Sequence, residues 1–126
     1  MRSILLAEDD DFIRELYRIQ FTKSGYTIDC AVDGKQALEK VFTGTYDVLL
    51  LDIMMPNMDG VEALTEIRAM ERLNNFPETP VIMLTNLGEE SILNHCKQLG
   101  IKGYILKARF IPAEVVAQVE KLLSAA

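Results

Sequence analysis

The chain has 126 residues, 49% of them apolar and 25% charged, with a formal net charge of −6. That length suits one domain with a core of its own. The acidic balance argues against nonspecific nucleic-acid or anionic-membrane binding, and no apolar run approaches the ~20 residues of a membrane-spanning helix.

The first apolar run, SILLA at 3–7, reads as a strand and is followed at once by Glu8, Asp9, Asp10 and Asp11. The opening MRSILLAEDDD turns acidic too early for a secretory apolar core, which predicts a cytoplasmic protein. Asp10 and Asp11 directly precede a helical pattern and suit its N-cap and first turn. In that pattern Ile13, Leu16, Tyr17 and Gln20 share one face, and Gly25 supplies the stop. TIDCAV (27–32) is the second strand and ends without chemistry at Val32-Asp33-Gly34. Ala37, Leu38, Val41 and Phe42 then form a second helical face, closed by Gly44.

DVLLLD (47–52) is the third strand, nearly continuous in hydrophobicity up to Asp52. A Pro-Asn-Met-Asp-Gly turn follows, then a helix carrying Val61, Leu64 and Ile67. Past that helix, MERLNNFPETP reads as loop. PVIMLT (80–85) is the fourth strand, and Ile92, Leu93, Cys96 and Leu99 mark a helix ending at Gly100. GYILK (103–107) is the fifth strand. Val115, Val116, Val119, Leu122 and Leu123 mark the last helix, with Pro112 in its first turn. Near-continuous apolar strands alternating with amphipathic helices predict an α/β domain: a parallel sheet, helices on both faces, right-handed crossovers. One domain fills residues 1–126.

Ligands of open α/β sheets lie beyond the carboxyl ends of the strands. Glu8, Asp9, Asp52, Thr85 and Lys107 all stand there. Crowded carboxylates repel one another, and a divalent cation relieves the conflict. With oxygen ligands and neither imidazole nor thiolate nearby, the expected ion is Mg²⁺, or Mn²⁺ in its place. Mg²⁺ so held normally works on a phosphate, for which Lys107 is a counter-charge and Thr85 a donor. A carboxylate is also a nucleophile, and Asp52 is positioned by a central strand to form an aspartyl phosphate.

In ILLAEDD (4–10), LLLDIMMPNMDG (49–60), VIMLTN (81–86) and GYILK (103–107) the chain resembles the receiver domains of bacterial two-component response regulators, in particular the single-domain, chemotaxis-regulator type. The resemblance implies a flavodoxin-like, doubly wound (β/α)5 fold with five parallel strands and five helices. It implies that Asp52 accepts a phosphoryl group from a sensor histidine kinase or a histidine phosphotransfer protein. Glu8 and Asp9 would hold Mg²⁺, together with Asp52 and the backbone carbonyl of Met54. Thr85 and Lys107 would bind the phosphoryl group, and Tyr104 would follow Thr85 as an aromatic switch. The surface of the fourth helix, fifth strand and fifth helix would then act on a downstream protein, or pair two phosphorylated copies. The domain itself would touch neither nucleic acid nor membrane. It would be no enzyme in the usual sense, only catalysing its own phosphoryl transfer and slow self-dephosphorylation.

Two departures from the family pattern stand out. Ala108 follows Lys107 where proline is usual, which predicts a trans bond there and a different approach of Lys107. Asn86 follows Thr85 where a small residue is common. Apolar Met54 and Leu87, two residues beyond Asp52 and Thr85, predict slow hydrolysis of the acyl phosphate. An aspartate-nucleophile phosphatase would need a second Asp at position 54, and nucleotide-binding glycine loops are absent. The remaining alternative is a degenerate receiver that binds partners without being phosphorylated. His95 reads as solvated surface, Met55 and Met58 as packing, and Cys30 and Cys96 as free thiols of a reducing compartment. With no effector domain expected within the sequence up to Ala126, the output is expected through protein contacts or an effector domain outside this sequence.

Overall fold

The computed structural model describes residues 2–86 and 88–125. Five strands, β1 (Ser3–Ala7), β2 (Thr27–Ala31), β3 (Val48–Leu51), β4 (Val81–Thr85) and β5 (Gly103–Leu106), alternate with five helices. The helices are α1 (Asp11–Lys23), α2 (Gly34–Val41), α3 (Gly60–Asn74), α4 (Glu90–Leu99) and α5 (Pro112–Ser124). All pairings are parallel, in the order β2-β1-β3-β4-β5. The order reverses between β1 and β3, and that switch point is where such sheets bind ligands.

Successive strand residues point to opposite faces, so each strand feeds two cores. Leu5, Ala7, Leu49, Leu51 and Met83 pack under α2, α3 and α4 through Ala37, Val41, Leu64, Ile67, Leu93 and Cys96. Ile4, Leu6, Val48, Leu50, Ile82 and Ile105 pack under α1 and α5 through Tyr17, Phe21, Val115, Val116 and Val119. Burial on both faces is why these strands read as unbroken apolar runs.

Helix starts follow the sequence closely. Asp10 caps α1 by accepting from Ile13 N at 2.9 Å, and Asp11 sits in the first turn. Asp59 and Glu62 form a reciprocal capping box on α3. Pro112 opens α5, where Glu114 accepts from Ile111 N at 3.0 Å.

Four readings need correction. The helix over Val61, Leu64 and Ile67 does not give way to a loop at Met70 but runs on to Asn74. The cause is a buried ion pair that sequence patterning scores as polar. Arg68 donates to Glu71 at 2.7 Å and to the carbonyls of Leu99, Thr79 and Gly100, while Glu71 accepts from Thr79 N at 2.6 Å. Leu16 does not join the core of α1. It is 40% exposed, on a stripe with Phe12 and Ile19, and Phe21 fills the core instead. Several strands are shorter than their apolar runs, so Val32, Asp47, Asp52, Pro80 and Lys107 fall outside them. Finally, the end of β2 is not bland. Asp33 is buried, caps α2 through Gln36 N, and accepts from the Asn57 side chain at 2.7 Å.

Candidate functional site

Asp52 stands one residue past β3, its amide bonded to the Ala7 carbonyl at 3.1 Å. The backbone there is fixed from both sides. Gly60 N at the start of α3 donates to the Ile53 carbonyl at 2.8 Å, and Ile53 N donates to Asp52 Oδ1 at 2.7 Å. The side chain is buried, at 5% exposure, beside Glu8 at 2%. Glu8 follows β1 directly. Its own carbonyl accepts from Arg14 at 2.8 Å, and its Oε2 from Asp10 N at 3.2 Å.

Lys107 joins the two carboxylates. It begins a short 3-10 turn (Lys107–Arg109) after β5 and extends Nζ to 2.6 Å from Glu8 Oε1 and 3.0 Å from Asp52 Oδ2. No cis peptide bond occurs among the described residues, so the bond before Ala108 is trans as expected. The trans bond still leaves the ammonium aimed into the site.

Burial of Glu8 outweighs its contacts with Lys107 and lifts its carboxyl above the ordinary range. For Lys107, burial works against the charge, but hydrogen bonds and attraction to Glu8 and Asp52 prevail and raise its pKa. Two buried carboxylates share this one lysine, so the site is short of positive charge. Exposed Asp9 lies close by: ligand atoms of Glu8, Asp9 and Asp52 all fall within 4.8 Å of one another. Three carboxylates at that spacing, one solvent-facing and two buried, fit a hard divalent cation with part of its water shell retained. The acidic cluster could therefore hold a metal.

Thr85 ends β4, beside β3, and is 1% exposed. Of the seven residues singled out from the sequence, Glu8, Asp9, Asp52 and Lys107 thus come together, and Thr85 stands at the carboxyl end of the neighbouring strand. The other two lie differently. The Met54 side chain, two residues beyond Asp52, is exposed. Tyr104 on β5 has its ring half-exposed, with Lys97 Nζ 5.6 Å from the ring centroid. Leu87, expected to screen the site along with Met54, lies outside the described residues.

Sequence reasoning missed the loop ties that shape this crevice. Asn57 adopts a left-handed φ of 66° and hands its side chain to Asp33, while Gly34 N bonds the Met58 carbonyl at 2.9 Å. The Pro-Asn-Met-Asp-Gly turn is thereby clamped to the start of α2. The asparagine in that turn was the available signal, since Asn tolerates positive φ better than other non-glycine residues.

Residues 4–120 match the family model described as the response regulator receiver domain. Among curated proteins, the chain is 40% identical over 120 residues to the transcriptional regulatory protein ResD of Bacillus subtilis, covering 95% of this chain and 47% of that one. The transcriptional regulatory protein SrrA of Staphylococcus aureus is 37% identical over the same coverage. The chain spans about half the length of the curated relatives it matches. Among solved structures, Vibrio cholerae CheY4 superposes with a TM-score of 0.83 at 27% identity, covering 97% of this chain and 98% of that one. Thermotoga maritima TrrA, solved in complex with Mg(2+)-BeF, gives a TM-score of 0.78 at 34% identity, covering 97% and 99%. The likeness runs from the first strand into the last helix and takes in the acidic crevice at the switch point, and the chain therefore belongs to the receiver domain family of two-component response regulators.

Proposed function

We propose that Asp52 is the phosphoryl acceptor of this receiver domain and that its modification is the signal the domain transmits. The observation that carries the reading is the buried Asp52 carboxylate, 3.0 Å from Lys107 and clustered with Glu8 and Asp9 at the switch point. A strand-end carboxylate needed only for a turn would be solvated.

In the proposed step an Asp52 carboxylate oxygen attacks the phosphorus of a phosphohistidine on a sensor kinase or phosphotransfer protein. The P–O bond to Asp52 forms as the P–N bond breaks, and its electron pair returns to the imidazole nitrogen. Lys107 leaves its contact with Asp52 for a phosphoryl oxygen, and the Thr85 hydroxyl donates to another. Glu8, Asp9, Asp52 and the Met54 carbonyl would hold Mg²⁺ (or Mn²⁺), which supplies charge neutralisation between the approaching carboxylate and the phosphoryl group. In self-dephosphorylation water attacks the phosphorus, the P–O bond to Asp52 breaks with its electron pair returning to the carboxylate, and inorganic phosphate leaves. Apolar Met54, two residues beyond Asp52, disfavours that water, consistent with slow self-hydrolysis.

The phosphoryl group carries about −1.5 to −2 of charge where the Asp52 carboxylate carried about −1, at a place where four strand ends meet. Recruiting Thr85 and Lys107 together biases the ends of β4 and β5, with Tyr104 on β5 as the switch that follows. The α4-β5-α5 surface would then act on a downstream protein in the cytoplasm or pair with a second copy. The transcriptional role in the relatives' names belongs to proteins about twice this length. This domain's part is the switch, without contacting nucleic acid itself.

Intact mass after incubation with an acyl-phosphate donor, with and without Mg²⁺, tests the reading. One added phosphate is expected in wild type with Mg²⁺, and none in Asp52→Asn. An adduct that persists in Asp52→Asn would place the chemistry elsewhere.

A further inference from the structure

The two departures from the family pattern, Asn86 and Ala108, touch each other. Backbone pairing of β4 with β5 ends at Thr85 and Leu106. One residue further along β4, the Asn86 side-chain carbonyl accepts a hydrogen bond from Ala108 N at 2.7 Å. A proline at 108 would have no N–H to give, so this bond is available only because residue 108 is not proline.

The bond also meets a local need. The first amides of a helical turn have no partner within the turn and call for a cap. The 3-10 turn that opens with Lys107 has no side-chain cap of its own, because Leu106 occupies the capping position. Asn86 supplies the cap from 22 residues away in sequence. The capped amide belongs to the residue right after Lys107, whose Nζ must span to both Glu8 and Asp52. Asn86 is itself next to Thr85. One side chain therefore links the backbone beside the phosphoryl-binding hydroxyl to the backbone beside the phosphoryl-binding ammonium.

We propose that Asn86 is a positioning residue: through the Ala108 amide it fixes the turn that aims Lys107 at Asp52, replacing the rigidity that proline gives elsewhere in the family. Because the bond is solvent-exposed, its contribution to global stability is small. Its effect is on orientation, and a misaimed group slows a reaction far more than it unfolds a protein.

The test uses the full chain as wild type, Asn86→Ala, Ala108→Pro and the double variant. The first readout is the NMR resonance of the Lys107 ammonium without Mg²⁺, together with the melting temperature. The second is the rate of Mg²⁺-dependent mass gain from acetyl phosphate. Asn86→Ala is expected to move or broaden the Lys107 resonance and slow modification by ~10-fold, with little change in melting. Once Ala108→Pro has removed the donor, adding Asn86→Ala should slow modification no further. An unchanged Lys107 resonance in Asn86→Ala, with a rate within about twofold of wild type, overturns the proposal. So does a double variant whose loss is the product of the two single losses. The proposal rests on the Asp52 reading only in its second readout. If wild type takes up no phosphate, that reading fails while the resonance still decides the role of Asn86.

Discussion

Replacing Gly60 by alanine should damage both the stability and the chemistry of this domain, because α3 begins in contact with the backbone of Asp52. An added Cβ would lie 2.8 Å from the Asp52 carbonyl carbon and 2.9 Å from Ile53 Cα, and closer still to the Asp52 oxygen. Real Cβ atoms essentially never come within 3.0 Å of such neighbours. The opposing atoms are backbone and cannot rotate away, so α3 and the Asp52–Ile53 segment must separate by on the order of 1 Å, with a cost of about 1–3 kcal/mol. For a domain of this size that corresponds to a fall in melting temperature of ~4–12 °C. A displacement of ~1 Å at a reacting group costs up to ~100-fold in rate. Calorimetry gives the first quantity, and timed intact-mass measurement with acetyl phosphate gives the second. Gly44→Ala is the control, since its Cβ would sit at an ordinary 3.4 Å from the Tyr46 ring. If Gly60→Ala melts within about 2 °C of wild type and is modified at the wild-type rate, the close-approach argument is wrong.

Other perturbations probe the charges. Lys107→Ala leaves buried Glu8 and Asp52 without their shared cation and should destabilise the metal-free protein by about 3 kcal/mol, with part of the loss recovered in Mg²⁺. Urea unfolding with and without the metal reads both effects, and equal stability of variant and wild type without Mg²⁺ would contradict the ion-pair account. Arg68→Met strands buried Glu71 and three carbonyls, so a loss of ~3–5 kcal/mol is expected from urea midpoints; a loss under about 1 kcal/mol would show the pair to be dispensable. The Gln36 amide first, and then the Asn57 side chain, hold the Asp33 carboxyl below the ordinary aspartate range. Its stabilisation is therefore complete above the unfolded-chain value and is lost as pH falls through the lower folded one. Asn57→Ala should lessen that acid-side loss, and identical stability profiles below pH 5 would rule the contact out as the cause.

The fold was legible in the sequence wherever burial follows a period. Apolar strand runs and spaced helical faces gave the number, order and type of elements, because a strand covered on both sides must be apolar throughout. Five candidate site residues stood out for a related reason: a carboxylate, a hydroxyl or an ammonium at the end of such a run has no packing role there. Edges were less legible. Pairing stops where the partner strand stops, so Asp52 and Lys107 fall one residue outside strands that seemed to include them.

What only the tertiary structure decided comes down to contacts between residues distant in the chain. Arg68 and Glu71 look like surface charges until the carbonyls of Leu99 and Gly100 are brought over them, and that contact carries α3 about two turns beyond its apolar face. Asp33 looks like an unremarkable turn residue until Asn57 arrives from the loop after β3. Leu16 fits the periodicity of α1, yet Phe21 fills the available space and leaves Leu16 in water. Asn86 and Ala108 read as two unrelated departures, and the sheet makes them partners. Sequence by itself determined which residues had to be inside and which chemistry stood at the strand ends, since both depend on local polarity and spacing. Hydrogen bonds and ion pairs between loops depend on distances that exist only once the sheet has formed, and those the tertiary structure alone decided.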